Sequence, residues 1–126
     1  MIREAIEELN ETKIEPGNVG LKGLTRRCTI YYGTPGSGAY KTACNFADFT
    51  YDMNQLPGYQ ELLTNNSEFL KAVENGTSII FDEAQYADAN VLAVLDKFLT
   101  DDRVEINNKT IKINPEFKMI FVVTVT

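Results

Sequence analysis

Apolar residues recur along this chain at two different spacings, and the change from one to the other marks its elements. Near the start, Ile2, Ala5, Ile6 and Leu9 fall three or four places apart with Glu4, Glu7 and Glu8 between them, which predicts a short amphipathic packing helix. The spacing returns at Phe69, Leu70 and Val73, where Ser67 stands ready as a cap and Asn75-Gly76 as a left-handed stop. It returns again at Val91, Leu92, Val94, Leu95, Phe98 and Leu99, which reads as a core-facing helix over residues 90–99.

Elsewhere the apolar positions run together or alternate. Residues 29–32 and 79–81 are short apolar runs of the kind buried in a sheet, and residues 117–126, FKMIFVVTVT, carry the strongest strand signal. Residues 103–113, RVEINNKTIKI, alternate around Asn107-Asn108-Lys109 and predict a β-hairpin. Tyr51-Asp52-Met53 is a further strand candidate. Residues 12–25, with Gly17, Gly20 and Gly23, read as a connecting loop.

Two of the predicted strands end in residues that suggest chemistry. The run at 79–81 ends in Asp82 and Glu83, and the tips of strands in open α/β sheets are where ligands bind. The run at 29–32 enters GTPGSGAYKT, residues 33–42, followed by helix-compatible sequence. A strand, a glycine-rich turn and a helix are the parts of a phosphate-binding loop, because glycines let backbone N–H groups converge on an anion. Gly33, Thr34, Pro35, Gly36, Ser37 and Gly38 would form the cradle. The pattern G-x-x-x-x-G-K-[ST] is satisfied from Gly33 to Gly38, but Ala39 and Tyr40 hold the lysine and hydroxyl places, and Lys41 and Thr42 follow two places late. Two residues turn a helical side chain by about 200°, so Lys41 is expected to point away unless the loop bulges or the helix starts later. Losing a charge-assisted phosphate contact costs roughly 1.5–3 kcal/mol, or about ten- to a hundredfold in affinity.

Taken in order, these pieces resemble the AAA+ ATPases of the MoxR and dynein-related branch, which includes the CbbQ/NorQ-like proteins. Residues 69–104, FLKAVENGTSIIFDEAQYADANVLAVLDKFLTDDRV, look like that family's Walker B segment; residues 105–123, EINNKTIKINPEFKMIFVV, look like the hairpin and strand leading to sensor 1; residues 55–60, QLPGYQ, look like the segment after the second strand. The resemblance implies ATP and Mg²⁺ as cofactors, with Asp82 holding the metal and Glu83 polarising the attacking water. It makes Lys41 the phosphate lysine and Thr42 the metal-facing hydroxyl if the shift is absorbed. It also implies Val19 and Gly20 as candidates for contact with a nucleobase. Counting from Phe117 puts sensor 1 at Thr124, or at Thr126 with a two-residue slip. The implied fold is an α/β, P-loop NTPase-like three-layer sandwich with a mostly parallel sheet and helices on both faces, a reduced AAA+ core without the helical lid. Arg3, Arg26, Arg27 and Arg103 match no arginine-finger motif, and Arg26-Arg27 reads as charge protecting an edge strand.

Composition narrows the picture further. The chain has 126 residues, enough for one domain, with the packing helix at 1–11 and the nucleotide-binding core at 29–126. A net charge of −6 argues against unaided nucleic-acid binding. There is no histidine, and Cys28 and Cys44 lack zinc-ligand spacing, so both read as reduced thiols. No signal peptide or bilayer-length apolar run is evident, so a cytoplasmic protein without membrane contact is expected. Three readings stay open: an ATP-binding domain with weak or partner-dependent hydrolysis that acts on a protein partner or self-assembles, a degenerate nucleotide-free AAA+-like interaction or assembly module, and a truncated or designed chain whose natural context supplies the lid.

Overall fold

The computed structural model of the chain describes residues 1–56 and 58–125. Its strands are β1 (Val19–Thr25), β2 (Cys28–Gly33), β3 (Phe49–Asp52), β4 (Ser78–Asp82), β5 (Arg103–Ile106), β6 (Lys109–Lys112) and β7 (Lys118–Thr124). Its helices are α1 (Ile2–Asn10), α2 (Ala39–Cys44), α3 (Gln60–Leu63), α4 (Glu68–Asn75) and α5 (Ala89–Asp96).

The sheet corrects the expected architecture. Its five strands lie in the order β1-β2-β7-β4-β3; β2, β7, β4 and β3 pair in parallel, but the edge strand β1 is antiparallel to β2. Strands β5 and β6 form a separate antiparallel pair. The protein is therefore a mixed-sheet α/β domain and not the mostly parallel P-loop sandwich that the sequence suggested. The cause is a tight turn at Arg26-Arg27: with Thr25 opposite Cys28, the chain reverses in two residues, and so short a connection allows only antiparallel pairing.

Residues 19–25, read as loop, are strand β1. The glycine that misled the reading has a packing role: a Cβ at Gly20 would lie 2.2 Å from the Tyr32 ring, so the aromatic side chain occupies the space above the bare backbone. Val19 and Gly20 lie in β1 and do not line the cavity described below.

Both faces of the central strands are buried, which explains their unbroken apolar runs. Met119, Phe121 and Val123 of β7 pack with Ile79 and Phe81 of β4 against α1, α4 and α5, whereas Ile120, Val122 and Ile80 pack against Ala39 and Ala43 of α2. Phe69 of α4 is fully buried at the centre of the larger core, with ring centroids 4.9 Å from Phe98, 5.7 Å from Phe117 and 6.1 Å from Phe81. Burying such a side chain contributes about 1.5–3 kcal/mol. Tyr51 of β3 stacks on Phe81 at 5.7 Å, and its hydroxyl accepts the Phe69 N–H at 2.9 Å, tying the edge strand to the start of α4.

Local signals behave as expected in the helices. Ser67 Oγ accepts the Leu70 N–H at 3.1 Å and Gly76 ends α4 with φ 78°. Helix α1 buries Ile2, Ala5, Ile6 and Leu9. In the β5-β6 hairpin, Asn107 and Asn108 take φ 52° and 63° between Ile106 and its partner Lys109, the geometry of a two-residue primed turn. Arg27 corrects a further expectation: it is 1% exposed, donating to the Asp101 carbonyl, while Arg26 is exposed. No described helix is long and apolar enough to cross a membrane.

Candidate functional site

Strand β2 ends at Gly33, whose register partner across the parallel pair is Thr124 at the end of β7. Val125 N–H donates to the Gly33 carbonyl at 2.9 Å, so the loop leaves the sheet beside the tip of β7. The loop then folds back on itself: Ser37 N–H donates to the Thr34 carbonyl at 3.0 Å, and Ser37 Oγ sits 2.2 Å from where a Gly33 Cβ would be. Gly36 and Gly38 take φ 80° and 91°, values that side chains resist. Helix α2 begins at Ala39, directly after Gly38, which places Lys41 in its first turn.

The acidic pair is fixed by its own local bonds. Asp82 Oδ1 accepts the Glu83 N–H at 2.9 Å, and Glu83 adopts left-handed backbone angles, φ 54° and ψ 44°. For a residue other than glycine this conformation costs about 1–2 kcal/mol. A single 3-10 turn, Ala84–Tyr86, follows, and the Gln85 carboxamide bonds Glu83 Oε2 at 2.5 Å through its nitrogen and the Thr124 N–H at 3.1 Å through its oxygen. Those two partners also fix which end of the carboxamide is which.

These parts surround one cavity of about 870 Å³, within the range of small-molecule sites. Gly33, Thr34, Pro35, Gly36, Ser37, Gly38, Lys41, Asp82, Glu83 and Thr124 all line it. Thr42 is placed otherwise: its Oγ1 donates to the Gly38 carbonyl at 2.9 Å and it does not line the cavity. Thr126 lies outside the described residues. Lys41 lines the wall although it comes two places late, together with Ala39 and Tyr40 before it.

The wall also contains Asp52, Asn54, Tyr40, Gln85 and Tyr86, which sequence reasoning did not assign to a site. Asp52 could have been found from the strand candidate at 51–53, since it ends β3 as Asp82 ends β4. Gln85 carried no sequence signal beyond its place two residues after Glu83. A second cavity of about 910 Å³ lies between α4 and the β5-β6 hairpin, lined by Leu63, Leu70, Ile106 and Ile111 among others. It contains none of the candidate catalytic or loop residues.

Electrostatically the smaller cavity is mixed. Its wall carries the ammonium of Lys41 and the glycine loop together with the three carboxylates Asp52, Asp82 and Glu83. The Asp82 carboxyl is held above its ordinary value, by partial burial first and then by the charges of Glu83 and Asp52, against the lowering effect of the Glu83 N–H. Among the described residues no three Asp, Glu, Cys or His side chains form a cage for a metal ion. The residues still suit Mg²⁺, which is commonly held by one or two carboxylates together with water and substrate phosphate. A divalent cation would relieve the repulsion among the acids, and the loop could receive the phosphate.

Against known proteins, no protein-family model matches the chain and no curated protein matches it in sequence.

Proposed function

We propose that the domain binds ATP together with Mg²⁺ in the cavity between residues 33–41 and the Asp82-Glu83 turn, and hydrolyses it slowly or under the control of a protein partner. The observation that carries this reading is the convergence of the glycine loop and the acidic turn on one cavity, two parts 40 or more residues apart in sequence. The likeness of residues 69–104 to an AAA+ Walker B segment supports it.

Each residue has a role set by its chemistry. The loop and Lys41 receive the phosphates, with Lys41 supplying one positive charge. Asp82 would hold Mg²⁺, which supplies charge neutralisation to a phosphoryl group when bound. Glu83 orients a water and accepts its proton, and the Thr124 hydroxyl at the neighbouring strand tip offers a further polar contact. With Thr42 turned onto Gly38, the domain lacks one hydroxyl ligand for the metal, so binding is weak. A cytosolic setting is part of the proposal: Cys44 is an exposed free thiol, the state a reducing compartment maintains.

Calorimetric titration with ATP, with and without Mg²⁺, tests the binding. Mg²⁺-dependent affinity in the micromolar to millimolar range is expected, and absence of binding at millimolar ATP would end the proposal. Glu83→Gln should then abolish turnover while leaving binding intact.

The placement of Thr42, with Ala39 and Tyr40 in the lysine and hydroxyl places, favours a second reading as a nucleotide-free interaction module. On that reading, replacing Asp82 and Glu83 with alanine leaves self-association and partner binding unchanged.

A further inference from the structure

Gln85 is half-buried and its carboxamide has two strong partners on different elements. The nitrogen end donates to Glu83 Oε2 at 2.5 Å, a charge-assisted bond. The oxygen end accepts the Thr124 N–H at 3.1 Å, at the tip of β7. Thr124 is in turn the register partner of Gly33, the first residue of the glycine loop, and Val125 next to it donates to the Gly33 carbonyl. A chain of contacts therefore runs from loop to strand tip to carboxamide to carboxylate, and ends through the Glu83 N–H at Asp82.

We propose that Gln85 is a positioning residue that couples the Glu83 carboxylate to the tip of β7, so that whatever occupies the glycine loop sets the place of Glu83. Where it speaks of hydrolysis, this inference rests on the nucleotide reading above; the coupling itself does not. Three features support it. Glu83 has a left-handed backbone between β4 and the 3-10 turn, and the bond observed on its carboxylate is the one from Gln85. The carboxamide leaves the second oxygen of Glu83 without this bond and able to meet a water. Finally, the Thr124 N–H is satisfied by a side chain, so movement at the strand tip is transmitted to Gln85 directly.

Amide hydrogen exchange of Thr124 tests the coupling without any turnover. Gln85→Ala should speed its exchange about tenfold or more, because the N–H loses its acceptor. Glu83→Ala should also speed it, by about threefold, because the carboxamide loses its anchor, and this effect should vanish in the Gln85→Ala background. Gln85→Glu separates the two ends: it keeps an acceptor for Thr124 but repels Glu83, so exchange should speed about threefold, as in Glu83→Ala, and adding Glu83→Ala should not speed it further. Exchange at the buried Phe121 amide serves as the reference for global stability in each variant. With ATP as substrate, Gln85→Ala should lower kcat about tenfold with KM unchanged.

If Glu83→Ala leaves Thr124 exchange unchanged in the otherwise native chain, the coupling is overturned whatever ATP does. If the exchange effects appear but ATP does not bind, the coupling stands and the nucleotide reading falls.

Discussion

Asp52 and Asp82 are direct neighbours across the parallel pair of β3 and β4, register partners at the two strand ends, and both line the same cavity. Like charges placed side by side on a sheet are unfavourable. The fold keeps them together at the place where the glycine loop arrives, which is the arrangement a cation-bridged anion site requires.

Removing one of these charges should stabilise the ligand-free protein. The Asp82 carboxyl is raised above its ordinary 3.8 in the fold, by burial and then by Glu83 and Asp52, so its charged form is less welcome in the folded state than in the unfolded chain. That stability is fully present below the ordinary carboxylate range and is lost as pH rises through the folded value. Asp82→Asn is therefore expected to raise Tm at pH 7 by about 2 °C, a modest figure because the carboxylate remains partly solvated, and the gain should shrink toward zero near pH 3. The same variant should lose Mg²⁺-dependent ATP binding. A lower Tm at pH 7 would contradict the electrostatic account.

Gly33 and Gly36 should differ in their tolerance of a methyl group. At Gly33 a Cβ would strike Ser37 Oγ at 2.2 Å and approach the Asn18 carbonyl at 3.1 Å, whereas at Gly36 the space is open and only φ 80° resists. Gly33→Ala is expected to cost about 1–3 kcal/mol in urea unfolding and to displace the loop, weakening ATP binding. Gly36→Ala should cost about 1 kcal/mol through backbone strain. Equal effects of the two on loop structure would show that Ser37 does not hold the loop.

The two thiols should separate cleanly by reactivity. Burial, with Asp96 nearby, pushes the Cys28 thiol up to about 12, whereas Cys44 is exposed. In the native protein at pH 8, iodoacetamide should modify Cys44 and spare Cys28, and both should react in urea. Because the folded value lies above the ordinary 9.0, the stability associated with the neutral Cys28 thiol is present below pH 9 and declines as pH rises toward 12. Cys28→Ala should therefore flatten the alkaline limb of a Tm against pH curve.

Arg27 is a charge whose removal should cost little if its volume is kept. Among the described residues its Nε and Nη2 have no hydrogen-bond partner, and the carboxylate of Asp102, 88% exposed, is 3.6 Å from Nη2. Arg27→Met should lie within about 1 kcal/mol of the native chain or exceed it in stability, since apolar replacement of poorly paired buried charges is often neutral or stabilising. Arg27→Ala should cost about 2–4 kcal/mol by leaving a cavity. Both follow from urea midpoints, and a severe loss in Arg27→Met would mean that the guanidinium bonds matter more than its bulk.

The legible parts of this protein were those whose cause is local. Spacing marked α1, α4 and α5, Ser67 and Gly76 marked the ends of α4, and Asn107-Asn108 marked the hairpin turn, because each depends on residues a few places apart. The glycine loop and Asp82-Glu83 were also visible as strand ends followed by turns. Strand β1 was not, because its glycine-rich sequence becomes a strand only by pairing with β2 and sheltering under Tyr32.

By itself, then, the sequence determined where α1, α4 and α5 would form, where the chain would be apolar on both faces, and which residues could serve an anion or a cation. Tertiary structure decided the direction of β1, the burial of Arg27, the turn of Thr42 onto Gly38, the arrival of Lys41 and Asp52 at the cavity, and the bridge made by Gln85. The burial of Arg27, the arrival of Lys41 and Asp52 and the bridge made by Gln85 depend on partners distant in sequence. The direction of β1 and the turn of Thr42 arise from a two-residue reversal and an i, i+4 contact that form only within the folded elements. None of these is encoded in the spacing of apolar residues.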